Sequence, residues 1–133
     1  MTILRKALVK EEHERYEKIF RNSEIFLELK YQQAYLYHKH LHHDLSLKSI
    51  SSIESSLKEK PSHSDAHVLA PDLQELKGSI YFKKKNLQQF NLCYERAIKL
   101  RIKQTGQFSY ATASTYSNYA KFLIYANNQI QAR

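Results

Sequence analysis

Histidine is the residue of this 133-residue chain best placed for chemistry. Four of the seven, His38, His40, His42 and His43, stand within six positions, followed by Asp44. On a continuous helix His38 and His42 would share a face, the spacing from which two imidazoles can hold a metal ion. No glutamate accompanies them in the pattern of a hydrolytic zinc site and no cysteine lies near, so the cluster reads as a solvated helix end. His63 and His67 repeat the spacing in a stretch that reads as a loop. Ser64, Asp65 and His67 supply the residue types of a hydrolytic triad, but adjacency in a loop is not triad geometry. Cys93 stands alone, forms no internal disulfide and reads as a small residue near a helix interface. Two glycines in the whole chain leave no phosphate-cradling loop. The expectation is a protein that is not an enzyme and carries no cofactor or metal.

The composition suits binding better. The chain is 42% hydrophobic and 26% charged, the balance of one globular domain. Few glycines and prolines, with Leu, Lys, Gln, Glu and Ala throughout, predict an all-α fold. The net charge of +8 is uneven. Residues 1–70 carry eleven Lys/Arg against ten Asp/Glu, whereas residues 71–133 carry ten against three. A partner of the second half is expected to be acidic. No apolar run nears the ~20 residues of a membrane span, and Arg5, Lys6 and Lys10 interrupt any leader-like core. A cytoplasmic protein is expected, or one in a host cytosol if it is a secreted effector.

Apolar periodicity defines the elements that must position these residues. A helix is predicted over 2–22, with Ile3, Leu4, Ala7, Leu8, Tyr16, Ile19 and Phe20 apolar and a charged outer face, packing as a cap on the next helices. A tyrosine-rich helix over 24–39 comes second. Asp44 is expected to cap a helix reaching Leu57, with Leu47, Ile50, Ile53 and Leu57 inward and the serines on its surface. From Glu59 to Ala70, between Pro61 and Pro71, the period is lost and a loop is predicted. Residues 71–106 read as two helices. Leu73, Leu76 and Ile80 mark the first; Leu87, Phe90, Tyr94, Ala97, Ile98 and Ile102 mark the second. Pro71 suits a first turn, Asn86 and Gln89 form a capping-box pattern, and Gly106 is a stop. A last helix is predicted from Ser109 to Tyr125, with Asn127 and Asn128 turning the chain.

The stretch 71–106 resembles a tetratricopeptide repeat. Gly78, Tyr81, Tyr94 and Ala97 stand where that family has a small residue, two aromatics and an alanine. Phe90 departs from the pattern, where a small residue is usual, and so does Gln74, where a large apolar one is. The run YERAIKLRIKQTG, with Asn118-Tyr119-Ala120 beyond it, is similar to the kinesin light chain type of repeat. Ala120 lies 42 residues after Gly78, about that type's length rather than the ordinary ~34. Ala34 and Tyr37 mark a weaker unit 44 residues before Gly78, with Ser46 and Ile50 fitting loosely.

The resemblance implies helix hairpins stacked as a short right-handed solenoid in a single domain, 1–133. Its parts are a capping helix at 2–22, a weak unit at 24–60, the best unit at 71–106 and an incomplete one at 109–133. It further implies a concave groove lined by the first helix of each unit. Carried over, the peptide-binding residues are Tyr31, Tyr35, His38 and Lys39, then Ser79, Phe82 and Lys83, then Ser117, Asn118, Lys121 and Ile124. Asn118 matches the asparagine that holds an extended peptide's backbone in the kinesin light chain family. The expected function is a non-enzymatic interaction module taking an acidic peptide or a partner helix, as adaptor, chaperone or peptide-responsive regulator. A second reading is nucleic-acid binding by Lys83, Lys84, Lys85, Lys99, Arg101 and Lys103. A third is a structural oligomerisation domain, with Tyr119, Phe122 and Ile124 of the last helix inviting self-association.

Overall fold

The computed structural model describes residues 3–21, 24–59 and 67–131, and among them the fold is all-helical. Six helices succeed one another: α1 (Ile3–Arg21), α2 (Glu24–Lys39), α3 (His43–Lys58), α4 (Leu69–Lys83), α5 (Leu87–Thr105) and α6 (Tyr110–Gln131). The densest packing joins α2 to α3 and α4 to α5; α6 then packs on α5. Among the described residues no helix is long and apolar enough to cross a membrane. The centre of the expected loop, with Pro61, His63, Ser64 and Asp65, lies outside the described residues, as do the side chains of Ile19 and Phe20.

The turns closing the two helix pairs are the same piece of backbone chemistry. After α2, Leu41 takes the left-handed conformation (φ 65°), and after α4 Lys85 does so (φ 62°). His42 N–H donates to the Tyr37 carbonyl at 2.8 Å, and Leu41 N–H to that of His38 at 3.0 Å. Asn86 N–H donates to Tyr81 at 2.9 Å, and Lys85 N–H to Phe82 at 3.0 Å. Both are Schellman closures, which satisfy the last helical carbonyls. Their spacing, 44 residues, equals that of Ala34 and Gly78, so the same turn recurs in the backbone at that interval.

Two cores result. Leu27 and Ala34 of α2, Ile50 and Ile53 of α3, and Leu69, Leu73, Leu76 and Ile80 of α4 form an aliphatic cluster. The other is aromatic and centres on Phe90, which is fully buried. Its ring lies 5.1–5.5 Å from those of Phe82, Tyr94, Tyr119 and Phe122, all in edge-on contact. Phe90, a departure from the repeat pattern, thus fastens α6 to the α4–α5 pair; edge-on ring pairs contribute roughly 1 kcal/mol each beyond their burial. Gly78 makes room for this: a β-carbon there would stand 2.7 Å from Tyr94 Cδ2.

Several boundaries differ from the sequence reading. Asp44 is not the cap of α3; His42 occupies that place without a side-chain bond, and Asp44 sits in the first turn. α4 begins at Leu69, so Leu69 and Ala70 belong to the helix and are buried, and Pro71 is its third residue. His67 starts it: its Nδ1 accepts from the Leu69 N–H at 3.0 Å, so Nε2 carries the proton and donates to Glu24 Oε2 at 2.7 Å. Asn127 and Asn128 do not turn the chain, because α6 runs on to Gln131. Asparagine within a helix costs only about 0.7 kcal/mol relative to alanine, and no Gly or Pro stands after it to stop the helix. Asn86 does cap α5, accepting from the Gln89 N–H at 3.2 Å. Every described side chain of α1, Ile3 to Tyr16, is exposed.

Candidate functional site

Helices α2, α4 and α6 share one side of the molecule, and a groove of about 460 Å³ runs between them. Tyr31, Tyr35, His38 and Lys39 line it from α2, with Leu41 from the turn. Asp72, Glu75, Leu76, Ser79 and Lys83 line it from α4, and Asn118 from α6. From α5 only Tyr94 reaches it, through the space that Gly78 leaves open. A second concavity of about 340 Å³ adjoins it, sharing Lys83 and Asn118 and adding Phe82, Lys121, Phe122 and Tyr125. Nine of the eleven residues carried over from the repeat pattern therefore meet on this one surface. Ser117 and Ile124 do not: both are exposed on α6 and line neither concavity.

The groove is electrostatically divided. At one end stand Asp72 and Glu75, to which Arg101 of α5, outside the lining, donates through Nη2 at 2.5 and 2.9 Å. Its Nε donates to Thr115 Oγ1 at 3.2 Å. Burial opposes the guanidinium's charge, but the hydrogen bonds to Glu75 and Asp72 outweigh it and hold Arg101 more firmly protonated. Burial, reinforced by the same two carboxylates, pushes the Tyr31 phenol up to about 12. Burial likewise puts Tyr94 at about 12, against a hydrogen bond with Ser79, so both tyrosines stay neutral donors at physiological pH.

The other end is basic. Lys39 and Lys83 flank His38, and Lys121 extends the positive edge into the second concavity. Burial, then His43 and Lys83, lower the pKa of His38. Its Nδ1 and that of His43 are buried without a hydrogen-bond partner, and the two rings lie 6.0 Å apart. His38 and His42 do not share a face as their spacing suggested. The helix ends at Lys39, Leu41 reverses the backbone, and His42 turns to meet Tyr37 edge-on at 6.3 Å. No group of three or more metal-binding side chains forms among the described residues.

Asn118 sits where the two ends and the two concavities meet. Its amide donates to Glu75 Oε1 at 3.4 Å, a long bond that leaves the amide oxygen and the second N–H for a ligand. The groove thus offers aromatic area, an amide at its centre and two lysines at one end.

The basic surface considered as an alternative is dispersed by the fold. Arg101 is removed from it, with 16% of its side chain exposed and both neighbouring carboxylates engaged. Lys84 pairs with Asp44 at 3.2 Å. Lys83 belongs to the groove, while Lys85, Lys99 and Lys103 are exposed at the turn and on α5. The self-association residues also change. Tyr119 and Phe122 point inward, Tyr119 stacking on Tyr94 at 5.2 Å and donating to Asn91 at 2.6 Å. Of the three, Ile124 alone is exposed.

The sequence misses Asp72 and Glu75 as groove residues and Arg101 as their partner. The signal was faint: three charged residues on two helices inside apolar periods. No family model, no curated protein and no solved structure matches this chain.

Proposed function

We infer that this chain is a non-enzymatic interaction module whose α2–α4–α6 groove takes an extended acidic peptide, within a short tetratricopeptide-like stack of helix pairs. One observation carries the reading. Residues from three separate stretches of sequence line one concave surface, with Lys83 and Asn118 shared by both of its halves. The groove has the chemistry to hold a backbone without reading much sequence: an amide, a hydroxyl and flat phenol rings. Lys39, Lys83 and Lys121 supply the preference for acidic side chains at one end. The Asp72–Glu75–Arg101 cluster sets two carboxylates against one guanidinium, keeps a net negative charge and so sets the direction in which a charged peptide lies. A ligand of uniform negative charge along its whole length would meet two carboxylates there, which disfavours a nucleic-acid backbone in this groove.

Binding of short peptides, acidic at one end, to the purified chain tests this. Asn118→Ala combined with Lys83→Ala is expected to weaken binding by about a hundredfold, with each change worth about 1.4 kcal/mol. Unchanged affinity would remove the groove from consideration.

A further inference from the structure

α6 carries a face that the groove and the core both leave unused. In each of the two closed pairs, the first helix presents one small residue that its partner helix covers. Ala34 is fully buried, and Ser46 of α3 donates to its carbonyl oxygen at 2.6 Å. Gly78 lies beneath Tyr94 of α5. Ala120, in the matching place on α6, is exposed. The same steps along α4 from Gly78 give Pro71 and Gln74, both buried, and Tyr81, partly so; along α6 from Ala120 they give Ala113, Tyr116 and Leu123, all exposed. Asn127 continues the series. These residues recur at alternating steps of three and four, a period of about 3.5 that keeps one seam facing a single neighbouring helix. Thr112, Thr115, Tyr119 and Phe122 point into the protein and Asn118 towards the groove, so the seam belongs to neither.

Two features select a second copy of this chain as the occupant. α6 has one charged side chain, Lys121, and it lies on the groove side. The seam and its flanks, Ser117, Ile124 and Ala126, carry none, so they hold no counter-charge for a charged partner. In a chain of net charge +8, this is a face on which two copies can meet without bringing like charges together. The seam is also complementary to itself when two copies run antiparallel. Leu123 of one then fills the hollow over Ala113 of the other, and Tyr116 lies over Ala120, about a two-fold axis at the level of residue 118. The helix dipoles oppose one another in that arrangement.

We propose that the chain forms an isologous antiparallel dimer through the α6 seam, leaving both grooves open. Sedimentation of the intact chain from about 1 µM to about 1 mM should show its mass rising towards twice 15.8 kDa. Ala120→Glu, with helicity checked by circular dichroism, should weaken the dimer by more than about tenfold. Leu123→Lys serves where that variant folds poorly. An equimolar mixture of Ala113→Cys and Leu123→Cys chains should oxidise chiefly to the mixed disulfide, because antiparallel pairing brings those two positions together. A monomer at every concentration would overturn the proposal. So would a dimer indifferent to both substitutions, or one in which Leu123→Cys chains link to each other.

Discussion

Tyr94 occupies the space that a side chain on Gly78 would need, its Cδ2 and Cε2 atoms 2.7 and 2.8 Å from the position of the missing β-carbon. Through that gap Tyr94 reaches from α5 to the groove floor, where its hydroxyl lies 3.3 Å from Ser79 Oγ. Gly78→Ala therefore forces the ring, α5 or both to move. We expect a loss of about 1–3 kcal/mol, the range for overpacking a filled core. Urea denaturation with an unchanged m-value would measure it. A neutral substitution would mean that α4 and α5 are not this close.

Arg101 holds two carboxylates that face each other across one turn of α4. Replacing it with methionine keeps much of the apolar stem but leaves Asp72 and Glu75 uncompensated. Breaking a fully buried pair costs about 3–5 kcal/mol; with Asp72 34% exposed, we expect about 2 kcal/mol at neutral pH. The deficit should shrink below about pH 4, where ordinary carboxylates take up protons. A deficit independent of pH would assign Arg101 a packing role instead.

His38 gives the fold a pH dependence of defined sign. Burial, His43 and Lys83 lower its pKa from the ordinary 6.5, so the unfolded chain takes up the proton before the folded one does. The contribution of this site to stability is thus fully present above 6.5 and declines as pH falls through that value. Midpoints of denaturation between about pH 8 and pH 5 should fall less steeply for His38→Gln than for the parent chain. An acidic peptide beside Lys39 and Lys83 acts in the opposite sense, favouring protonated His38 and binding more tightly as pH falls. Equal slopes in parent and variant would exclude His38 as the source.

Much of this arrangement was legible in the sequence, and the reasons are local. All six helices were readable because their apolar residues recur at three and four steps. The α4–α5 turn was readable because Asn86 and Gln89 carry their own capping chemistry. Nine of the eleven residues named from the resemblance line the two concavities, because a helical spacing fixes a face without fixing the contacts made there. What stayed hidden depends on residues far apart in sequence. Nothing near Arg101 marks it as a partner of Asp72, 29 residues away, rather than as part of a basic surface. His67, accepting from the Leu69 N–H at the start of α4 while bonding to Glu24, is equally non-local. Phe90 looked like a defect of the repeat until α6 brought Tyr119 and Phe122 against it. The matching Schellman turns at Leu41 and Lys85 were invisible because neither position holds the usual glycine.

The most direct test of the groove is a two-dimensional NMR titration of the isotope-labelled chain with an extended peptide acidic at one end. Binding in the groove predicts that amide and side-chain signals of Tyr35, Ser79, Lys83, Asn118 and Lys121 move together and saturate, while those of Lys99 and Lys103 on α5 stay still. Shifts confined to α5, or none up to about 1 mM peptide, below which even weak specific binding registers, would contradict it.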